Sequence, residues 1–377
     1  MRATWDIFCS VVDNYGDIGV TWRLARQLVA EHGLAVRLWV DDLQAFVRLC
    51  PQADAQVLRQ TQQGVEVCLW RQDWQTTEPA DVVIEAFACE LPAAYVEAMA
   101  QRHNKPLWLN LEYLSAEEWV EGCHGLPSLQ SNGLSKFFFF PGFTPGSGGL
   151  LRERELLTQR RAFQVDDCAR DDFLCSLGVE PMAGALMISL FAYENAALGS
   201  WLEALTAGPQ RIQLLVPEGR ILRSLQSWLG GMALQPGDIR QRGQLHIYVL
   251  PFMSQEQYDR LLWSCDFNAV RGEDSFIRAQ WAGRPLLWHI YEQADNTHLE
   301  KLDAFLLLYK EGLSANAQRA LVELWHAWNN GQAIDKSWEK MLQSWPQQHE
   351  HAEEWCLQRA SQADLAAALV QFYQNWL

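Results

Sequence analysis

The chain has 377 residues, which predicts two or three domains of about 150 residues each. Hydrophobic residues make up 49% and charged residues 20%, the balance of a folded globular protein rather than a disordered one. The net charge of −16 argues against direct binding to nucleic-acid backbones, and no apolar run is long enough to span a membrane. The start of the chain lacks a signal-peptide stretch. The nine cysteines include no Cys-x-x-Cys pair, so we expect reduced thiols and a cytoplasmic location.

Strand-like and helix-like segments alternate through the first half of the chain. Short apolar runs predict strands at 4–12, 35–40, 65–70, 81–87, 107–111 and 137–140. Apolar residues at helical spacing predict helices at 18–32, 43–49 and 92–102. Strands that alternate with helices indicate a parallel sheet covered on both faces.

A loop rich in Gly and Pro at 141–149 interrupts this pattern. It fits either a plain connector or a loop that faces a ligand cleft. A helix is predicted at 150–163, directly after it.

The second half of the chain repeats the alternation. Further strands are predicted at 185–191, 211–216, 245–250, 266–270 and 285–289, with helices between them. From about residue 298 the pattern is wholly helical, and the last helix, 361–377, opens with a capping-box-like sequence. We therefore predict two α/β halves in tandem with a helical tail, and a ligand cleft at the carboxyl ends of their strands.

Two acidic residues follow the first strand, where a doubly wound sheet places its ligand loop. The segment 12–19 lacks the Gly-x-Gly-x-x-Gly dinucleotide motif, but it sets Asp13 and Asp17 four residues apart around a glycine. Such a pair can bind a cation or act as a base. The alternative is structural: Asp17 caps the following helix and Asp13 is a turn residue.

A second segment that joins a strand to a helix is 270–276. Backbone amides at a helix N-terminus favour an anion such as a diphosphate, to which Arg271 can add two donors and Ser275 a hydroxyl. Glu273 and Asp274 would repel phosphate, so we expect them to face sugar hydroxyls, a cationic acceptor or the helix dipole alone. For Asp274 and Ser275, helix capping is the alternative.

Aromatic side chains lie at or beyond the predicted strand ends of the second half. Phe191, Tyr193, Phe252 and Tyr258 could sandwich a nucleobase whose edge Gln255 reads, although core packing is the alternative for each ring. No Walker loop, Gly-x-Ser-x-Gly elbow or His-Glu-x-x-His motif occurs in the sequence. We therefore predict that no metal is required.

Three segments together resemble one known family. They are residues 6–28, the sequence Phe-Phe-Phe-Pro-Gly-Phe-Thr at 138–144, and Arg-Gly-Glu-Asp-Ser-Phe-Ile-Arg-Ala-Gln-Trp-Ala-Gly-Arg-Pro at 271–285. They resemble the EarP family, the protein-arginine rhamnosyltransferases that modify translation elongation factor P, and the resemblance spans essentially the whole chain.

The resemblance implies a GT-B glycosyltransferase, in which two Rossmann-like domains face a deep cleft. Residues 1–155 would form the acceptor domain and residues 156–360 the nucleotide-sugar domain, with the helix 361–377 packing back on the first. The donor would be dTDP-β-L-rhamnose, the acceptor one arginine of elongation factor P, and the reaction would invert the anomeric centre. No metal or other cofactor, nucleic acid or membrane is implied.

Family roles fall on matching positions of this sequence. The resemblance implies that Asp13, Asp17 and Glu273 are catalytic. The implied donor contacts are Phe191, Tyr193, Phe252, Gln255, Tyr258, Arg271, Asp274, Ser275 and Tyr291.

The implied chemistry agrees with these residue types. Arginine is a cation and a poor nucleophile, so it must be held in line with the anomeric carbon. We expect Asp17 to be the general base and Asp13 and Glu273 to orient the guanidinium, although Asp13 and Asp17 could exchange roles. Two alternatives remain: a GT-B enzyme with another nucleotide sugar and a small-molecule acceptor, and a non-catalytic protein that binds a nucleotide sugar or the elongation factor.

Overall fold

A computed structural model of the protein describes residues 2–11, 15–71, 74 and 77–377. The chain divides into two compact units. Unit 1 comprises Met1–Arg154 and Arg359–Leu377, and unit 2 comprises Glu155–Gln358.

Each unit is built on one sheet. The strands of unit 1 are β1 (Thr4–Cys9), β2 (Ala35–Val40), β3 (Arg59–Gln62), β4 (Val65–Leu69), β5 (Val82–Ala86), β6 (Leu107–Leu111), β7 (Pro127–Leu129) and β8 (Ser135–Phe139). The strands of unit 2 are β9 (Leu186–Leu190), β10 (Ile212–Pro217), β11 (Ile239–Arg242), β12 (Leu245–Leu250), β13 (Phe267–Arg271) and β14 (Leu286–His289).

Both sheets are parallel at their centres. The strand order is β3-β4-β2-β1-β5-β6-β8-β7 in unit 1 and β11-β12-β10-β9-β13-β14 in unit 2. The pairs β3–β4, β7–β8 and β11–β12 at the sheet edges are antiparallel. The predicted α/β class with parallel sheets is confirmed.

Helices connect and cover these strands. They are α1 (Gly16–His32), α2 (Leu43–Leu49), α3 (Ala93–Gln101), α4 (Trp119–Cys123), α5 (Leu156–Val165), α6 (Asp167–Ser176), α7 (Leu198–Ala207), α8 (Leu222–Trp228), α9 (Gln255–Ser264), α10 (Asp274–Trp281), α11 (Thr297–Tyr309), α12 (Ala315–Asn329), α13 (Asp335–Gln343), α14 (Trp345–Ala360) and α15 (Leu365–Trp376).

The strand β1 shows why the central strands are continuous apolar runs. Trp5 and Ile7 are buried on the face that α1 covers, while Phe8 points to the other face and stacks on Trp39 with ring centroids 5.7 Å apart. Both faces are therefore buried, as expected for a parallel sheet. The strand ends earlier than predicted, at Cys9. The backbone N–H of Val11 donates to the Asp41 carboxylate at 3.0 Å.

The terminal helix α15 belongs to unit 1, although it is the last element of the chain. Asp364 caps it by accepting from the Ala367 N–H at 3.0 Å, and Gln27 of α1 donates to the same carboxylate oxygen at 3.1 Å. Leu369 is fully buried against the core that α1 covers. The core of unit 1 is thus completed by residues from both ends of the chain.

The segment after the Gly- and Pro-rich loop differs from the prediction. A helix was expected at 150–163, but α5 begins only at Leu156. The preceding residues instead serve as an anchor for α15: the Leu150 carbonyl accepts from the Leu365 N–H at 3.0 Å. Residues 150–155 therefore form no helix, and the Leu150 carbonyl bonds to the start of α15 instead.

Candidate active site

The residues predicted to bind the donor lie where strands of unit 2 end. Phe191 and Tyr193 follow β9, Phe252 and Gln255 follow β12, Arg271 ends β13, and Tyr291 follows β14. The strands β9, β12, β13 and β14 run in one direction in this sheet, so their carboxyl ends meet at one edge. Open α/β sheets bind ligands at that edge.

A buried arginine is held between two aromatic rings at this edge. The guanidinium carbon of Arg271 lies 4.7 Å from the ring centroids of both Phe191 and Tyr193. This is cation–π distance, and Arg271 is only 9% exposed. The rings predicted to sandwich a nucleobase therefore hold a cation in this structure.

Tyr258 supports the same group from α9. Its ring meets Phe191 edge-on at 5.6 Å, and burial raises the pKa of the Tyr258 phenol well above its usual value. The phenol is therefore neutral at any physiological pH. Gln255, the first residue of α9, is buried, and Phe252 is half-buried.

The turn between β13 and α10 has a fixed backbone. Gly272 adopts φ 62°, a left-handed conformation that favours glycine, and its carbonyl accepts from the Trp288 indole N–H at 2.7 Å. The residue before the helix is Glu273, whose side chain does not cap α10. Asp274 and Ser275 are helical residues, so neither is the N-cap that the alternative interpretation required.

The hydroxyl of Ser275 has a partner within its own turn. It donates to the backbone carbonyl of Arg271, so the serine closes the loop that carries the arginine. A phosphate contact from Ser275 therefore needs either a backbone N–H or a rotated hydroxyl.

A histidine that the sequence analysis did not single out joins this group. The ring of His289, at the end of β14, meets Tyr193 edge-on at 5.3 Å, and Tyr291 meets Tyr193 at 5.7 Å. Burial, followed by the nearby Arg271 charge, lowers the pKa of His289 to about 4. Its Nδ1 has no hydrogen-bond partner among the described residues. The imidazole is therefore neutral at pH 7, and nothing in the sequence marked it beyond its place at a strand end.

In unit 1, Asp17 lies in the first turn of α1 and is 5% exposed. The residue before the helix is Tyr15, so Asp17 is not the N-cap that the alternative interpretation required. Its carboxylate benefits from the positive end of the helix and contributes to the raised pKa of the Cys9 thiol, which burial mainly causes. Asp13, its predicted partner, lies outside the described residues.

Strained backbone occurs next to β1, at the end of β5. Phe87 and Ala88 have φ angles of 58° and 54°, a conformation that is unfavourable for residues other than glycine. The Phe87 ring stacks on Tyr113, which follows β6, with centroids 4.8 Å apart. Strain of this kind collects at functional sites. No sequence signal could have found it, because neither residue is Gly, Asn or Asp.

No group of three or more His, Cys, Asp or Glu side chains in the described part of the chain could hold a metal ion. Within the same ranges, no helix is both long and apolar enough to cross a bilayer.

Two Rossmann-like units in tandem are the architecture of the GT-B fold. A glycosyltransferase from Rickettsia africae shares this fold with a TM-score of 0.56 at 9% identity, covering 99% of this chain and 98% of the other. The family described as elongation factor P (EF-P) rhamnosyltransferase EarP matches residues 5–374, and the chain belongs to that family. The predicted enzyme class and family are confirmed.

Individual relatives agree over the full length. Proteins named protein-arginine rhamnosyltransferase from Pseudomonas putida and Pseudomonas aeruginosa are 63% and 60% identical to this chain, and each match covers all of both chains. A solved structure from work on EarP-mediated arginine glycosylation of translation elongation factor EF-P is 48% identical. It covers the whole of both chains with a TM-score of 0.72.

Proposed function

We propose that this chain transfers L-rhamnose from dTDP-β-L-rhamnose to a single arginine of EF-P, with inversion at the anomeric carbon. Family membership supports the sugar and the acceptor. The observation that carries the donor side is Arg271, held between two aromatic rings directly before the N-terminus of α10. An anionic diphosphate suits a buried cation next to a helix N-terminus. We place the reaction in the cytoplasm because its acceptor is a translation factor.

Unit 2 binds the donor in this proposal. Arg271 and the first amides of α10 take the diphosphate, Ser275 closes their turn, and Asp274 faces the sugar. Phe191, Tyr193, Phe252, Tyr258 and Gln255 form the nucleoside pocket, to which Tyr291 adds a ring. The leaving dTDP is stabilised by these fixed positive groups, so no metal ion is needed.

Unit 1 supplies the base. Asp17 takes the proton that the acceptor nitrogen loses as its bond to the anomeric carbon forms, while the bond from that carbon to the diphosphate oxygen breaks. Its carboxylate lies in the first turn of α1, where the positive end of the helix stabilises a negative charge. Asp13 and Glu273 orient the guanidinium by pairing with its other nitrogens.

The direct test is intact-mass spectrometry of purified EF-P after incubation with this protein and dTDP-β-L-rhamnose. We expect a gain of one deoxyhexose at one arginine. If EF-P gains no mass while the donor still binds in calorimetry, the acceptor is another molecule. If the donor does not bind either, the proposed donor is wrong.

The base is tested separately with Asp17→Asn. We expect the rate of transfer to fall by about 10²- to 10⁴-fold with donor affinity unchanged, as for loss of a general base. Asp167→Asn is the matched control, because Asp167 also lies in the first helical turn, of α6, and its side chain is 79% exposed. An Asp17→Asn enzyme that retains full turnover would exclude Asp17 as the base.

A further inference from the structure

An exposed arginine that no sequence motif indicated lies beside the aromatic side chains of the proposed donor site. Arg220 follows β10, the strand that lies between β9 and β12 in the sheet. Its guanidinium carbon is 5.5 Å from the ring centroid of Tyr193, the same ring that Arg271 contacts at 4.7 Å. Two guanidinium groups therefore share one aromatic ring.

The charge of Arg220 is not balanced by a carboxylate among the residues that the structure describes. Arg223, three residues further along, contrasts with it because it pairs with Glu194 at 3.1 Å. A guanidinium that lacks a carboxylate partner among the described residues, next to the carboxyl edge of a parallel sheet, is well placed to bind a ligand anion.

Gly219, the residue before Arg220, lets the chain pass close to the Phe191 ring. A Cβ atom on Gly219 would lie 3.0 Å from the Phe191 ring, tighter than ordinary contact. The loop that carries Arg220 therefore packs directly on one of the two rings that hold Arg271. Its position beside Arg271 follows from backbone packing and does not rest on the side chain alone.

We propose that Arg220 binds the diphosphate of the nucleotide-sugar donor together with Arg271, with Tyr193 as their shared support. This inference rests on the proposed function. A diphosphate carries at least two negative charges, and a second fixed cation beside Arg271 would stabilise the leaving group further. Guanidinium groups suit this task because each offers paired donors to phosphate oxygens.

Calorimetric titrations of the full-length protein with dTDP and with thymidine test the proposal, since thymidine has the same base and sugar but no phosphate. Arg220→Met keeps the length and apolar stem of the side chain and removes its charge. We expect it to weaken dTDP binding by about tenfold or more, the value of a charged hydrogen bond, and to leave thymidine binding unchanged. Arg220→Lys should restore part of the loss. Arg223→Met is the control and should bind both ligands as the wild type does.

Several results would overturn the proposal. Unchanged dTDP affinity in Arg220→Met would show that the guanidinium does not contact phosphate. An equal loss for dTDP and thymidine would show that Arg220 only supports the nucleoside pocket. An equal loss in Arg223→Met would show a general effect of surface charge.

Arg271→Met, titrated in parallel, separates this inference from the proposed function. If Arg271→Met does not weaken dTDP binding, the proposed donor site itself is wrong. If it does and Arg220→Met does not, the donor site stands and only the role of Arg220 is lost.

Discussion

The terminal helix α15 provides a quantitative test of how unit 1 is held together. Leu369 lies in the core that α1 covers and is fully buried, with 0% of its surface exposed to solvent. Replacing a fully buried leucine with alanine costs about 2–5 kcal/mol, because transfer free energy is lost and a cavity remains. For a unit of this size each kcal/mol lowers the midpoint by about 2–4 °C, so a cost of about 3 kcal/mol predicts a fall of roughly 6–12 °C.

Differential scanning calorimetry of the full chain measures this fall, and hydrogen exchange assigns it to a unit. We expect Leu369→Ala to raise exchange in β1 and α1 and to leave β9 and β13 unchanged, because α15 belongs to unit 1. Leu377→Ala is the control, since that leucine is 86% exposed and its loss should shift nothing. A Leu369→Ala midpoint equal to that of the control would refute the reasoning, because α15 would then contribute no packing.

Three further predictions concern unit 2. Gly219→Ala should weaken dTDP binding by about fivefold, because its new Cβ displaces the Phe191 ring; unchanged affinity would remove that ring from the proposed donor site. His289 has a pKa of about 4 when folded and about 6.5 when unfolded, so the unfolded chain binds its proton first as the pH falls. Between pH 6.5 and 4, protonation of His289 should therefore remove at most about 1.4 kcal/mol of stability per pH unit, so urea titrations should show a shallower loss in His289→Gln than in the wild type; equal slopes would contradict this. Arg278→Met should lower the free energy of unfolding of unit 2 by about 3–5 kcal/mol in the same titrations. Arg278 donates two hydrogen bonds, of 2.8 and 2.6 Å, to the buried Asp259 carboxylate, and the variant loses both. A loss under about 1 kcal/mol would show that Asp259 is solvated or protonated.

The central strands of both sheets could be predicted from the sequence alone. β1 and β13 are apolar runs followed by helical spacing, and parallel strands with both faces buried leave that signal clearly. The edge strands β3 and β11 were missed. Their sequences, Arg-Gln-Thr-Gln and Ile-Arg-Gln-Arg, are polar because an edge strand is largely exposed to water.

The candidate site could be predicted only in part. The rule that ligands bind at the carboxyl ends of parallel strands was enough to select Phe191, Tyr193 and Arg271. It could not tell that both rings contact the arginine, since that depends on rotamers and on neighbouring strands. Arg220 and His289 were missed for the same reason. Each is linked to the candidate site by its contact with Tyr193, which is distant in sequence.

The discontinuous build of unit 1 has a consequence for synthesis on the ribosome. Unit 2, Glu155–Gln358, is a continuous stretch and can finish folding while the end of the chain is still being made. Unit 1 is translated first but is completed last, because Leu365 and Leu369 emerge only at the end. During that interval the nascent unit 1 keeps an apolar groove uncovered. A premature stop codon or a bulky tag near the carboxyl terminus should therefore disable the half of the enzyme that is encoded at the opposite end of the gene.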